Sequence, residues 1–314
     1  MIDRSQAVWT AAILLGLAAL LFLPLAVRRD DILNFAFLVF LSIALAQSWN
    51  IIAGYAGQVN LGHAAFFGMG ALVTRTLWSA GTPVVAAMLS GAATAVAFAL
   101  VIGGPAFRLR GAYFAIGTLA LSEILRTTVG NALPEISTLP TATIATYRLS
   151  HRYYLALGLA ALSVVAVAAL AASRAGLGMQ AIREDEEAAE ASGVGALQLK
   201  LTALAISTGL AGLAGGLFAY YHISYYPSHP FSPHWTFDAL LMTFIGGVGT
   251  PHGPVLGAVL YVALKEYLAL RWVDVHLLIF GALFIAIVLL LPGGLVQLAA
   301  QLQGMIGRTI PTRR

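Results

Sequence analysis

The segment AIREDEEAAEASGVGALQLK, Ala181 to Lys200, is an island of charge in an apolar chain. Five residues between Glu184 and Glu190 are acidic, whereas the whole 314-residue chain holds thirteen Asp and Glu and is 60% hydrophobic. On either side the island runs into stretches long enough to cross a bilayer, 153–172 before it and 201–222 after it. It is therefore a polar loop between two spanning helices. Charged residues make up 10% of the chain, against roughly 25% in soluble domains. This is the composition of a polytopic membrane protein.

Length, polar breaks and Gly/Pro punctuation divide the chain into about ten segments: 7–27, 32–53, 61–78, 84–102, 112–129, 153–172, 201–222, 237–250, 255–271 and 276–291. The fold class is all-α, a transmembrane bundle of about eight to ten spanning or re-entrant helices. The third and eighth segments are weak as full spans and adjoin glycine-rich breaks. The first run, Ala7 to Val27, is too long for a signal-peptide core and has no small-residue cleavage pattern, so it reads as a spanning helix. No soluble domain is appended. Residues 1–314 form one transmembrane domain with a loop segment at 173–200.

With the N-terminus inside, nine Lys and Arg fall in cytoplasmic loops and tails, five fall outside, and three (Arg75, Arg126 and Lys265) lie within or near segments. That asymmetry favours cytoplasmic termini, a cytoplasmic 173–200 and external loops at 130–152 and 223–236. The net charge of +4 is spread over many loops and forms no nucleic-acid footprint. There is no cysteine, hence no disulfide framework or thiolate metal site. No G-x-x-x-x-G-K-[ST] phosphate loop occurs, and no catalytic constellation is visible.

Gly178 to Ser192 reads as one short helix, rich in helix formers and closed by Gly193 at the position where a left-handed conformation is easiest for glycine. Ala188 and Ala189 present little side chain. Ile182, Ala189 and Val194 offer an apolar stripe, and the acids either meet basic groups on a partner or face water. A second pattern is an internal echo. GYAGQVNLGHAAFFGMGA (54–71) and GGVGTPHGPVLGA (246–258) share glycines at similar spacing, Gly54, Gly57 and Gly62 against Gly246, Gly249 and Gly253. Such paired breaks mark either a transport pathway or small-residue helix contacts. Asn50, Gln58 and Asn60 add polar groups to the first break, and Gly247 belongs to the second. Polar side chains in lipid usually face the bundle interior.

Other polar residues read less sharply. Glu123 and Arg126 are three apart on one helix and can pair, as a substrate site, a gate or a structural pair. Lys265 and Glu266 are adjacent, point in different directions and receive no role. His222, His229 and His234 match no compact metal-ligand spacing, and the Tyr, Phe and Trp around them suggest an aromatic belt at the outer interface.

Glu187-Ala188-Ala189, three residues and then Gly193 match the EAA---G pattern of ABC importer permeases, on a loop of the right kind. Five blocks extend the likeness: SWNIIAGYAGQVNLGHAAFFGMGA (48–71), RGAYFAIGTLALSEILR (110–126), GMQAIREDEEAAEASGV (178–194), AGLAGGLFAYY (211–221) and GGVGTPHGPVLGAVL (246–260). In that order they resemble the branched-chain amino acid ABC permeases, most closely the LivM-type subunit. The resemblance implies a permease in a bacterial inner membrane, importing branched-chain amino acids or a related small solute. Its partners would be a homologous LivH-type permease, two ATP-binding subunits that carry ATP and Mg, and a periplasmic solute-binding protein. It implies no cofactor on this chain. The coupling role falls on Arg183, Glu187, Ala188, Ala189 and Gly193. The alternative is an ion-coupled secondary amino-acid transporter, which needs an acidic coupling site. Glu123, Asp238 and Glu266 are the acids placed in segments, and they form no evident proton relay.

Overall fold

The structure, a computed structural model, describes residues 20–25, 29–145 and 149–271, with short pieces between 278 and 301. Helix α1 (Asp30–Asn50) runs into a π-helical turn, Ile51–Tyr55. Three helices follow, α2 (His63–Ser79), α3 (Val84–Ala106) and α4 (Ala112–Ala132). Strand β1 (Ser137–Thr138) and the short α5 (Thr141–Ala145) lead to α6 (Leu149–Ala171). The polar loop forms α7 (Arg174–Glu184) and α8 (Glu186–Ala191), and α9 (Ala196–Tyr221) returns through the bundle. Strand β2 (Ser224–Tyr225), a 3₁₀ turn (His229–Phe231), α10 (His234–Gly246) and α11 (Gly253–Arg271) complete the described chain.

Each segment expected between 32 and 271 is helical, and the fold is the expected all-α bundle. The first and tenth expected segments, and both termini, lie mostly or wholly outside the described residues. Among the described residues, four helical stretches are long and apolar enough to cross a membrane, Asp30–Tyr55, Val84–Ala106, Ser150–Ala171 and Ala196–Tyr221. The weak third and eighth segments are short helices. At about 1.5 Å per residue, the 13 residues of α10 reach only about 20 Å, short of a bilayer core of about 30 Å.

Helix α2 starts inside the bundle because the chain folds back along α1. Trp49 donates its indole N–H to the Asn60 carbonyl at 2.9 Å, and the Ser48 hydroxyl lies 2.7 Å from His63 Nε2. The first turn of α2 meets the first turn of α10, where the Ala64 amide donates to Thr236 Oγ1 at 2.8 Å. Helix α9 sits at the centre, buried along most of its length against α1, α2 and α3. Without a hydrophobic drive in lipid, such packing needs small residues that let backbones approach. A side chain at Gly70 would strike the Gly212 carbonyl, and one at Gly215 the Phe67 carbonyl.

Loops after α1, α3, α6 and α10 gather at one end of the bundle. Arg183 reaches Gly54, and Arg110 pairs with Glu187 at 3.3 Å. Loops after α4 and α9 gather at the other end, where β1 pairs antiparallel with β2. This alternation matches the expected segment order. Arg75, 3% exposed, fastens the second end. It donates to Ser137 Oγ (2.9 Å), the Ser137 carbonyl (2.7 Å), the His222 carbonyl (2.7 Å) and the Ile223 carbonyl (2.5 Å). Hydrogen bonds to a charged donor contribute roughly 1.5–3 kcal/mol each. Arg75→Met is expected to destabilise the bundle by about 3 kcal/mol or more. The checks are a lower SDS-unfolding midpoint and faster protease nicking at 133–145.

Candidate coupling and translocation site

The polar loop folds on itself. Ser173 starts α7 by accepting the Gly176 amide on Oγ at 3.0 Å. The single helix expected over Gly178–Ser192 is two helices. Asp185 leaves the helical region (φ −157°, ψ 108°) and caps α8, its Oδ1 accepting the Ala188 amide at 3.0 Å. Aspartate competes for backbone N–H groups in this way, which favours it at helix starts. Helix α8 ends as expected at a left-handed Gly193 (φ 87°). The Val194 amide reaches the Ala189 carbonyl and the Gly193 amide reaches that of Glu190, the two bonds of a Schellman end.

The expected apolar stripe faces inward. Ile182, Ala189 and Ala196 form a small core of their own, with Val194 packed against it. Several acids are also committed within the chain. Glu186 pairs with the buried Lys200, Glu187 with Arg110, and Glu184 with Arg183. Glu187, Ala188 and Glu190 remain exposed on the outer face of α8.

Arg183 connects this loop to the glycine breaks. Its Nη1 donates to the Gly54 carbonyl at 2.7 Å. Its side chain lies where a Cβ on Gly57 (φ 69°) or on Gly249 (φ 75°) would collide with it. Only glycine occupies such backbone without strain. Asn50 joins the two breaks directly: Oδ1 accepts the Gly249 amide at 2.8 Å and Nδ2 donates to the Thr250 carbonyl at 3.0 Å. Gln47 Nε2 adds a bond to the Pro251 carbonyl at 2.7 Å. The echoing glycine segments thus meet through Gly54 and Gly249.

The remaining residues that were expected on a pathway separate. Asn60 and Gly62 lie at the entry to α2, where the Gly62 amide donates to Asn60 Oδ1 at 2.9 Å and Gly62 packs on Thr118. Gln58 is partly exposed and donates to the Ala56 carbonyl at 3.3 Å. Gly246, Gly247 and Gly253 form the tight α10–α11 hairpin. Glu123 and Arg126 do pair, at 2.8 Å, on the exposed side of α4. His222 and His229 pack against Phe218, and among the described residues no group of three or more His, Cys, Asp or Glu is placed to hold a metal ion. At the far end Lys265, which had no expected role, donates to Asp238 Oδ2 at 3.0 Å.

Residues 31–288 match the family described as branched-chain amino acid transport system permease component. The chain belongs to that family. It is 28% identical over 315 residues to the high-affinity branched-chain amino acid transport system permease protein LivM of Escherichia coli, covering 88% of this chain and 72% of that protein. The LivM protein of Salmonella typhimurium matches equally, at 28% over the same shares. A probable LivM permease of Methanocaldococcus jannaschii is 27% identical over 131 residues, 38% of each chain. No solved structure matches. The chain is thus a multi-pass membrane permease component of LivM type, a transport subunit.

The clamp at the junction is testable. Asn50→Ala removes the acceptor of the Gly249 amide and the donor to Thr250. Hydrogen exchange across 247–252 is expected to accelerate by about tenfold or more. Unchanged protection would mean that Asn50 does not hold the loop.

Proposed function

We propose that this permease is one half of an ATP-driven importer of branched-chain amino acids in a bacterial inner membrane. Its termini and the 173–200 segment face the cytoplasm. A homologous permease completes the pathway, two ATP-binding subunits meet the α7–α8 loop, and a solute-binding protein delivers substrate to the opposite end. ATP and Mg belong to the ATP-binding subunits.

The observation that carries this reading is Arg183. One side chain starts on the loop that bears Glu187, Ala188, Ala189 and Gly193 and ends on the Gly54 carbonyl at 2.7 Å, beside Gly249. A displacement of the loop by a partner is thereby felt at both glycine breaks. Coupling needs a contact whose energy differs between two states, and this bond is placed to differ. A cleft of about 390 Å³ beside α8, lined by Arg108, Glu186, Glu190 and Lys200, offers a partner mixed charge.

The second permease is supported by α4. Its buried stripe is Phe114, Thr118 and Ser122, while Tyr113, Ile116 and Ile124 are well exposed. The Glu123–Arg126 pair lies on this helix with both side chains about half exposed. Ions are rarely left in lipid, so that face meets protein or water.

The test is uptake by the permease reconstituted with its ATP-binding subunits and solute-binding protein. Vanadate should stop uptake and an ionophore should leave it intact. Arg183→Ala and Gly193→Leu should insert normally. The leucine pays roughly 1–2 kcal/mol for its left-handed backbone. Both variants should lose about tenfold in uptake and lose the stimulation of ATP hydrolysis by substrate. Retained stimulation in both would remove the coupling assignment.

A further inference from the structure

Opposite the α7–α8 loop, a cavity of about 230 Å³ opens between α1, α9, α10 and α11. Asp238 lines it, with its side chain 8% exposed. Its oxygens are taken: Tyr261 donates to Oδ1, Lys265 approaches Oδ2 at 3.0 Å, and His234 Nε2 stands 3.4 Å from Oδ2. Lys265 is different. Its side chain is 37% exposed, and Asp238 engages one of its three ammonium hydrogens. Glu266 lines the same cavity. Phe218, Trp235 and Leu41 supply an apolar and aromatic wall.

Charged side chains in a membrane bundle are expensive, and an ion pair shielded from water is often no more stabilising than apolar residues of the same shape. A pair that borders an open cavity therefore points to a ligand. An ammonium group with free hydrogens recognises a carboxylate. A second carboxylate and aromatic faces recognise an ammonium. The wall recognises a small apolar side chain, as ligand pockets with few polar groups do. We propose that this cavity binds a zwitterionic amino acid with an aliphatic side chain, its carboxylate on Lys265 and its ammonium toward Glu266. The inference rests on the transport reading above and adds the substrate-contacting residues to it.

The experiment is equilibrium binding of radiolabelled leucine to the purified permease complex without solute-binding protein. Lys265→Met is expected to raise the Kd at least about tenfold, and Lys265→Arg to stay within about threefold of the parent. Ser42 also lines the cavity; Ser42→Leu fills it without changing the ion pair, and should weaken leucine binding more than alanine binding. That size dependence would not arise from a structural role. Equal leucine binding by the parent, Lys265→Met and Ser42→Leu complexes would overturn the proposal, as would absence of binding to the parent. ATP-driven leucine uptake by the same parent complex in vesicles, with solute-binding protein present, would leave the transport reading standing in either case. Absence of that uptake would overturn both.

Discussion

A helix that ends among other helices leaves carbonyls and amides that water cannot reach, and the bundle must answer them from within. This chain has two such ends close together, the π-turn after α1 and the hairpin after α10. The Gly54 carbonyl is answered by Arg183, the Gly249 amide by Asn50 Oδ1, and the Thr250 and Pro251 carbonyls by Asn50 and Gln47. The glycines follow from the same constraint. Three groups that each need a backbone partner converge on one point, and side chains at Gly54, Gly57 or Gly249 would occupy it. Because those groups come from α1, from the α10–α11 hairpin and from the polar loop, none of the three can shift alone without stranding a polar group.

The same accounting sorts the charged residues. Arg75 and Arg152 are buried and bound: Arg75 to a ring of carbonyls, Arg152 to Asn34 and over the rings of Phe37 and Tyr221. These arginines carry structure. Asp238 and Lys265 are also paired, but beside open volume, and Glu123 with Arg126 lies on a face that the described residues leave bare. In a membrane the second kind of charge is the informative one, because the described residues leave its environment open.

Much of this was legible in the sequence. Hydropathy located the helices because a spanning segment has to be long and apolar, and Gly193 marked a helix end because a left-handed residue is needed there. The break at Asp185 had its signal too, an aspartate followed by two glutamates, but an alanine-rich run hid it. Arg183, Asp238 and Lys265 were harder. Arg183 and Gly54 are 129 residues apart, Asp238 and Lys265 are 27 apart, and periodicity carries no information on which loops meet. The echo of glycine spacings was the one signal that linked distant segments. It left pathway and packing as equal readings, and the contact of Gly54 with Gly249 serves packing directly.

The two alanines of the EAA pattern face opposite ways, and this bears on the coupling reading. Ala189 is 6% exposed and completes the small core with Ile182 and Ala196, which holds α8 against the start of α9. Ala188 is exposed beside Glu187 and Glu190. A large residue at 189 would lift α8 off its support, whereas one at 188 would leave the loop intact and keep a partner away from its backbone. On the proposed coupling reading, one position serves stiffness and the other access. Stiffness matters to that proposal because a soft loop would absorb a push before Arg183 could pass it to the glycine junction.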